Sequence, residues 1–113
     1  MISIYHNPRC RKSREALEYL EKTGKEFEMI KYLKNPISKE TLNQLIEKLG
    51  ITPIELIRKN EAIWKSEFRA RDMSRSEVVN AMIRFPKLME RPIVVNQNQA
   101  IIARPAEKIK DIL

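Results

Sequence analysis

The sequence predicts an α/β fold, in which a mixed sheet carries helices on its faces in the order β-α-β, helical block, β-β-α. Three observations predict it. A short stretch that alternates apolar and polar residues opens the chain and leads into a helical period. The middle of the chain carries repeated helix-capping patterns. The last third holds two short apolar stretches around "NQNQ", which is typical of a hairpin.

The N-terminal third predicts a strand, a helix and a second strand. "ISIYH" alternates in polarity, so residues 2–5 are predicted to form a strand. From Arg11 to Thr23 apolar residues mark one helix face, and Gly24 follows as a C-terminal cap. That face consists of Ala16, Leu17 and Leu20. "FEMIKYL", residues 27–33, predicts the second strand.

The middle of the chain predicts a helical block. Ser38 can cap a helix whose apolar stripe consists of Leu42, Leu45, Ile46 and Leu49. "TPIE", residues 52–55, predicts a short helix with a capping threonine and a proline at its first position. "SRSE", residues 74–77, is a second capping box, and its helix should end at Pro86. The stretch between them is predicted to be partly helical.

The last third returns to strands. "PIVVN" predicts a strand buried on both faces, and "AIIA" predicts its antiparallel partner across a short turn. Pro105 then opens a last helix with Ile109 and Ile112 facing inward. This order of elements is that of thioredoxin-like folds, and the length of 113 residues predicts a single domain over residues 1–113.

The composition restricts the class of function. No apolar run approaches the roughly 18 residues of a membrane span, and the N-terminus lacks a signal-peptide pattern. The net charge of +7 is spread along the chain beside glutamates, which argues against a nucleic-acid surface and leaves an anionic substrate or acidic partner open. A single cysteine cannot form an internal disulfide, so we expect a reducing, cytoplasmic setting.

The one cysteine lies where a thiolate would be favoured. A lone cysteine is most often a small buried hydrophobic residue. Cys10, however, lies between Arg9 and Arg11, in polar sequence, immediately before a predicted helix. Cations and unpaired N–H groups at a helix start stabilise a thiolate, which is the nucleophilic form. The context therefore predicts a nucleophile.

Three neighbours of Cys10 could support it. His6, the only histidine, is either a hydrogen-bonded structural residue or a donor to the loop. The Ser13 hydroxyl could hydrogen-bond the sulfur one turn back, or Ser13 is an ordinary first-turn serine. Arg14 can reach over the same turn or remain solvated. With no second ligand of the right type nearby, no metal site is predicted.

Four blocks of the sequence resemble one family. "YHNPRCRKSR" resembles the cysteine-loop signature of glutaredoxin-dependent arsenate reductases, whose fold is thioredoxin-like. "LIRKNE" (56–61), "MERPIVV" (89–95) and "IIARPAEKI" (101–109) resemble the three further blocks of that family, in the same order. The resemblance covers essentially the whole chain. It departs from the best-known reductases at Arg11 and Lys12, where they have small residues.

The resemblance implies a role for each matching residue. Cys10 falls on the nucleophile, and His6, Ser13 and Arg14 fall on residues that support its loop. The residues that bind the oxyanion are implied to be Arg58, Arg91 and Arg104. Pro92 falls on the proline that thioredoxin-like folds hold in cis beside the active cysteine. Guanidinium groups suit this task because they can hold oxyanions in a bidentate way that lysine cannot.

The family's chemistry implies a thiol-dependent arsenate reductase with no tightly bound cofactor. Arsenate would form an adduct on Cys10, glutathione as co-substrate would convert it into a mixed disulfide, and glutaredoxin would restore the thiol. The alternative is a non-enzymatic regulator of the Spx type, which shares the fold and binds RNA polymerase, or another adaptor. Such a protein would dock through the helical block, with Trp64 and Phe68 as candidate contacts.

Overall fold

The strands form one mixed sheet. In the computed structural model, which describes all 113 residues, they are β1 (Ile2–Tyr5), β2 (Phe27–Ile30), β3 (Ile93–Asn96) and β4 (Gln99–Ile102). The strand order is β2-β1-β3-β4. β1 pairs parallel with β2 and antiparallel with β3, and β3 and β4 form an antiparallel hairpin. The predicted mixed sheet is therefore confirmed.

One helix and a 3₁₀ helix pack on this sheet. Helix α1 (Arg11–Thr23) begins at Cys10 and ends at Gly24, whose φ of 73° is the left-handed value that favours glycine at a helix end. The 3₁₀ helix spans Ala106–Ile112. Both elements share a buried core with β1 and β3, made of Ile2, Ile4, Ala16, Leu20, Val94, Ala103, Ala106, Ile109 and Ile112. Burying each large aliphatic side chain contributes about 1.5–3 kcal/mol.

The middle of the chain is helical, as predicted. It contains α2 (Lys39–Leu49) and α3 (Arg75–Arg84), which pack together. Two 3₁₀ helices (Pro53–Leu56 and Pro86–Leu88) and a π-helix (Trp64–Phe68) complete it. Ser38 and Ser74 accept hydrogen bonds from the first turns of α2 and α3, which confirms both predicted N-caps.

The chain divides into two compact units, which are residues 1–35 with 91–113, and residues 36–90. The first contains the sheet and the second contains the helical block. Whether residues 1–113 behave as a single domain stays a prediction. None of the helices is long and apolar enough to cross a bilayer.

Two predicted elements differ from the structure. The second strand ends at Ile30, and a turn closed by hydrogen bonds from Lys34 and Asn35 N–H to the Lys31 carbonyl replaces its predicted end. The strand stops there because its partner β1 ends at Tyr5, opposite Ile30. The last helix is 3₁₀, and its three buried residues recur at every third position, the period of that helix.

Candidate active site

Sheet register brings three predicted site segments to one end of the sheet. β1 ends at Tyr5, opposite Ile93, the first residue of β3. Ile93 also pairs with Ile102, the last residue of β4. The cysteine loop follows β1, Arg91 and Pro92 precede β3, and Arg104 follows β4. All three segments therefore leave the sheet at the same end.

The backbone of the cysteine loop is held by its own hydrogen bonds. The Cys10 N–H donates to the Asn7 carbonyl at 3.0 Å, and the Arg9 N–H donates to Asn7 Oδ1 at 3.0 Å. His6 N–H donates to the Ile30 carbonyl at 2.8 Å, which fixes the start of the loop on β2. Arg14 Nη1 donates to the Pro8 carbonyl at 2.9 Å. Arg14 is therefore hydrogen-bonded to the loop backbone, and the support for the nucleophile that the resemblance implies stays a prediction.

Ser13 connects the loop to α1 through its side chain. Its hydroxyl oxygen lies 2.6 Å from His6 Nδ1 and accepts a hydrogen bond from the Asn7 N–H at 3.0 Å. Ser13, His6 and Asn7 are all buried. The hydroxyl forms no hydrogen bond to the Cys10 sulfur, so the suggestion that it would do so is wrong. The hydroxyl is instead hydrogen-bonded to His6 Nδ1 and to the Asn7 N–H.

The thiol of Cys10 is partly exposed, and its surroundings lower its pKa. Burial raises its pKa, but hydrogen bonds from the backbone N–H of Ser13, from the Arg91 side chain and from the Lys12 N–H, together with the charge of Arg91, lower the pKa below the ordinary value of 9.0. These donors act as predicted for a helix start. The result is a cysteine with increased thiolate character.

The cation that acts on Cys10 is distant in sequence. We expected Arg9 and Arg11 to contribute, but Arg91 is the arginine that lowers the pKa of the thiol. Arg11 is exposed and pairs with Glu15 at 3.3 Å, and Lys12 pairs with the same carboxylate at 3.7 Å. The departures from the family at positions 11 and 12 therefore form ion pairs on the surface of α1.

His6 is a neutral supporting residue. Burial lowers its pKa below 6.5, and the charges of Lys31 and Arg14 act in the same direction, against an opposing hydrogen bond with Ser13. A neutral imidazole can share the short hydrogen bond with the Ser13 hydroxyl. His6 is therefore a hydrogen-bonded residue of the loop, and a supporting role in catalysis stays a prediction.

The remaining predicted residues lie around the prolines and in the second unit. The Arg91-Pro92 bond is cis, as the resemblance implies, and the Arg104-Pro105 bond is also cis, which was not predicted. Pro92 is buried, and its carbonyl accepts a hydrogen bond from the Ala103 N–H at 2.9 Å. Arg58 belongs to the second unit, where it pairs with Glu61 and Glu90.

Two contributors to the site were not identified from the sequence. Asn7 organises the loop through its side chain, its N–H and its carbonyl, and Lys31 adds positive charge beside His6. The signal for Asn7 was present, because Asn before Pro favours a turn. Lys31 gave no such signal, since its proximity depends on strand pairing.

Comparison with known proteins places this geometry in a family. The model of the ArsC family matches residues 5–112. The chain is 45% identical to uncharacterized protein YfgD of Escherichia coli strain K12, covering 99% of this chain and 96% of that protein. It is 38% identical to an arsenate reductase of Haemophilus influenzae, covering 99% and 98%.

A solved structure agrees along the whole chain. The arsenate reductase from Vibrio cholerae superposes with a TM-score of 0.94 at 40% identity, covering 99% of this chain and 97% of that one. The predicted thioredoxin-like fold class is therefore confirmed. A family model that spans nearly the whole sequence, with full-length relatives and a matching structure, shows that the chain belongs to the ArsC family.

Proposed function

We propose that this protein is a thiol-dependent reductase of arsenate in which Cys10 is the nucleophile. The observation that carries the proposal is the position of Cys10 at the start of α1, where the Ser13 and Lys12 N–H groups and the Arg91 guanidinium lower the pKa of its thiol. The arsenate reductases among its relatives support the choice of substrate. The oxidoreductase class follows from the same argument.

The first step forms a covalent adduct. The Cys10 thiolate attacks the arsenic of arsenate, a sulfur–arsenic bond forms, and an arsenic–oxygen bond breaks. The oxygen leaves as water after taking a proton from the solution. No general base is required because the thiol is already biased toward its ionised form.

The second step reduces arsenic with an external thiol. The glutathione sulfur attacks the Cys10 sulfur, a disulfide forms between them, and the electron pair of the sulfur–arsenic bond passes to arsenic. Arsenic(V) thereby becomes arsenic(III) and leaves as arsenite. A glutaredoxin thiolate then attacks the glutathione sulfur and releases the Cys10 thiolate. An external thiol is needed because the chain has no second cysteine. Glutathione and glutaredoxin act in reducing compartments, so the proposal places the reaction in the cytoplasm.

The arginines supply the binding of the oxyanion in this proposal. Arg91 lowers the pKa of the nucleophile, and Arg104 follows β4 at the same end of the sheet. Arg58 is the third arginine for which the family resemblance implies this role. Each guanidinium can donate paired hydrogen bonds to arsenate oxygens, which would orient the anion and balance its charge. The hydrogen bond from the Ala103 N–H to the Pro92 carbonyl joins the backbone next to Arg91 and Arg104, and the His6–Ser13 pair holds the Cys10 loop.

The test is turnover of arsenate with glutathione and glutaredoxin present together. We expect arsenite to form with the native chain, and Cys10→Ser to abolish this activity while leaving the fold unchanged. Omitting either thiol component should stop or strongly slow turnover. No arsenite production by the native chain under these conditions would contradict the proposal.

The regulator alternative has no comparable support. Its candidate contacts Trp64 and Phe68 are buried, with ring centroids stacked 5.9 Å apart, so the pair serves packing in the second unit. The comparisons with known proteins add nothing in favour of an RNA polymerase partner.

A further inference from the structure

The backbone of the second unit sets Arg58 beside Glu90. The Arg58 N–H donates to the Leu88 carbonyl at 2.7 Å, and the Glu90 N–H donates to the Leu56 carbonyl at 2.7 Å. Between these bonds Ile57 and Met89 form an isolated antiparallel bridge. Two short bonds of this kind hold both segments in one register, so the position of Glu90 relative to Arg58 is fixed by the main chain.

Two carboxylates face the Arg58 guanidinium. Arg58 Nη1 lies 3.5 Å from Glu61 Oε1, and Arg58 Nε lies 3.9 Å from Glu90 Oε1. The three side chains are 21%, 25% and 26% exposed, so the group is partly shielded from water. We refer to Arg58, Glu61 and Glu90 as the Arg58 cluster.

The carboxylates balance the charge of Arg58 without using all of its donors. A separation of 3.9 Å is beyond hydrogen-bond range, and 3.5 Å is at its limit. The buried Nη1 atom forms no hydrogen bond. Because Nη1 is closed to water, an anion that contacts Arg58 would be bound through the part of the side chain that stays exposed.

The charges of the Arg58 cluster do not suit every anion. Within the Arg58 cluster alone, one guanidinium and two carboxylates sum to a charge of −1, so the two carboxylates oppose the attraction that Arg58, Arg91 and Arg104 exert on a fully ionised oxyanion. An oxyanion that still carries a proton avoids part of this repulsion. Its O–H can donate to a carboxylate while its other oxygens accept from the guanidinium. Arsenate retains a proton at neutral pH, and sulfate does not.

We propose that Glu61 and Glu90 determine specificity at Arg58 by favouring tetrahedral oxyanions that carry a proton over fully ionised ones. This inference rests on the proposed function in one respect, which is that Arg58 contacts the anion. It adds that the carboxylates exclude sulfate, an abundant anion of similar shape, and accept arsenate or phosphate.

The experiment measures arsenate and sulfate binding to the full chain at pH 7 and constant ionic strength. The probe is the Arg58 Nε–H signal in NMR spectra, assigned by its loss in Arg58→Lys. We expect wild type to bind arsenate more tightly than sulfate. In Glu61→Gln and in Glu90→Gln, which keep the shape and remove the charge, sulfate should bind about five- to tenfold more tightly. Arsenate affinity should change less than about twofold, because the lost repulsion is offset by a weaker acceptor.

Glu47→Gln is the matched control, since it removes one exposed carboxylate of α2 in the same unit. Its ratio of arsenate to sulfate affinity should equal that of wild type. An unchanged ratio in both Gln variants, with the Arg58 signal still responding to anions, overturns this inference and leaves the proposed function standing. A signal that responds to neither anion overturns the inference together with the proposed role of Arg58. The predicted ratios without any arsenate turnover would instead reject only the proposed function.

Discussion

Arg91, which precedes β3, lowers the pKa of the Cys10 thiol, so its replacement gives a quantitative prediction. Arg91→Met deletes both the hydrogen bond and the charge that lower the pKa of the thiol. A hydrogen bond to a charged group contributes about 1.5–3 kcal/mol, and we take about 1.5 kcal/mol because Cys10 is partly exposed. At pH values below the pKa of both thiols, that energy corresponds to roughly a tenfold smaller thiolate fraction.

In Arg91→Met the rate of alkylation should fall by a smaller factor than the thiolate fraction does. At high pH, where both thiols are ionised, the rate should instead rise. A thiolate of higher pKa is intrinsically more nucleophilic, with a Brønsted coefficient of about 0.4–0.5. The roughly tenfold loss of thiolate in Arg91→Met is therefore offset by about threefold. Alkylation should be about threefold slower than wild type at pH values below the pKa of both thiols, and about threefold faster where both thiols are fully ionised.

The assay is iodoacetamide alkylation of the single cysteine across a range of pH. Arg91→Lys should lie between wild type and Arg91→Met, since it keeps the charge and loses the planar donor set. Arg75→Met, an exposed arginine in the first turn of α3, is the matched control and should follow wild type. If the Arg91→Met profile superimposes on those of wild type and Arg75→Met, Arg91 does not set the pKa of the Cys10 thiol.

Three further predictions concern the loop and the caps. Ser13→Ala should destabilise the fold by about 1–3 kcal/mol in urea unfolding, because the buried Asn7 N–H and His6 Nδ1 lose a partner; unchanged stability would contradict this. The pH midpoint of Cys10 alkylation in Ser13→Ala should stay near that of wild type, since residue 13 keeps the backbone N–H that lowers the pKa of the thiol. The pKa of His6 is lowered in the folded chain, whereas in the unfolded chain it is about 6.5. Between these two values the unfolded chain binds one more proton than the folded chain, so the free energy of unfolding should fall as the pH falls through this window. His6→Gln should lose that slope, and a slope equal to wild type would reject the assignment. Ser74→Ala should cost about 1 kcal/mol through loss of the α3 cap, and a variant as stable as wild type would contradict the capping geometry.

The fold could be predicted where the determinants are local. The capping residues Ser38 and Ser74 and the short turn between β3 and β4 act within a few residues, and each is found where predicted. The end of β2 could not be predicted, because it depends on where β1 ends. The type of the C-terminal helix was also undetermined, since an apolar period of three fits both helix forms over so short a segment.

The site, like the fold, could be predicted where its determinants are close together in the sequence. Cys10 could be identified because its environment at a helix start is encoded by adjacent residues. The contact with Arg91 could not be derived from local sequence, since β1–β3 pairing brings it about, and only the resemblance to a family indicated it. The role of the Ser13 hydroxyl was misassigned because sequence spacing gives the distance along a helix and not the competing partners His6 and Asn7.

The most direct test of the central claim is the mass of Cys10 during turnover. The chain is incubated with arsenate and glutathione, without glutaredoxin, and the intact protein is measured by mass spectrometry. The account predicts a single added glutathione that maps to Cys10, depends on arsenate, and disappears when glutaredoxin is supplied. A chain that remains unmodified while arsenite accumulates, or one that gains glutathione equally without arsenate, would contradict a pathway through a Cys10 adduct.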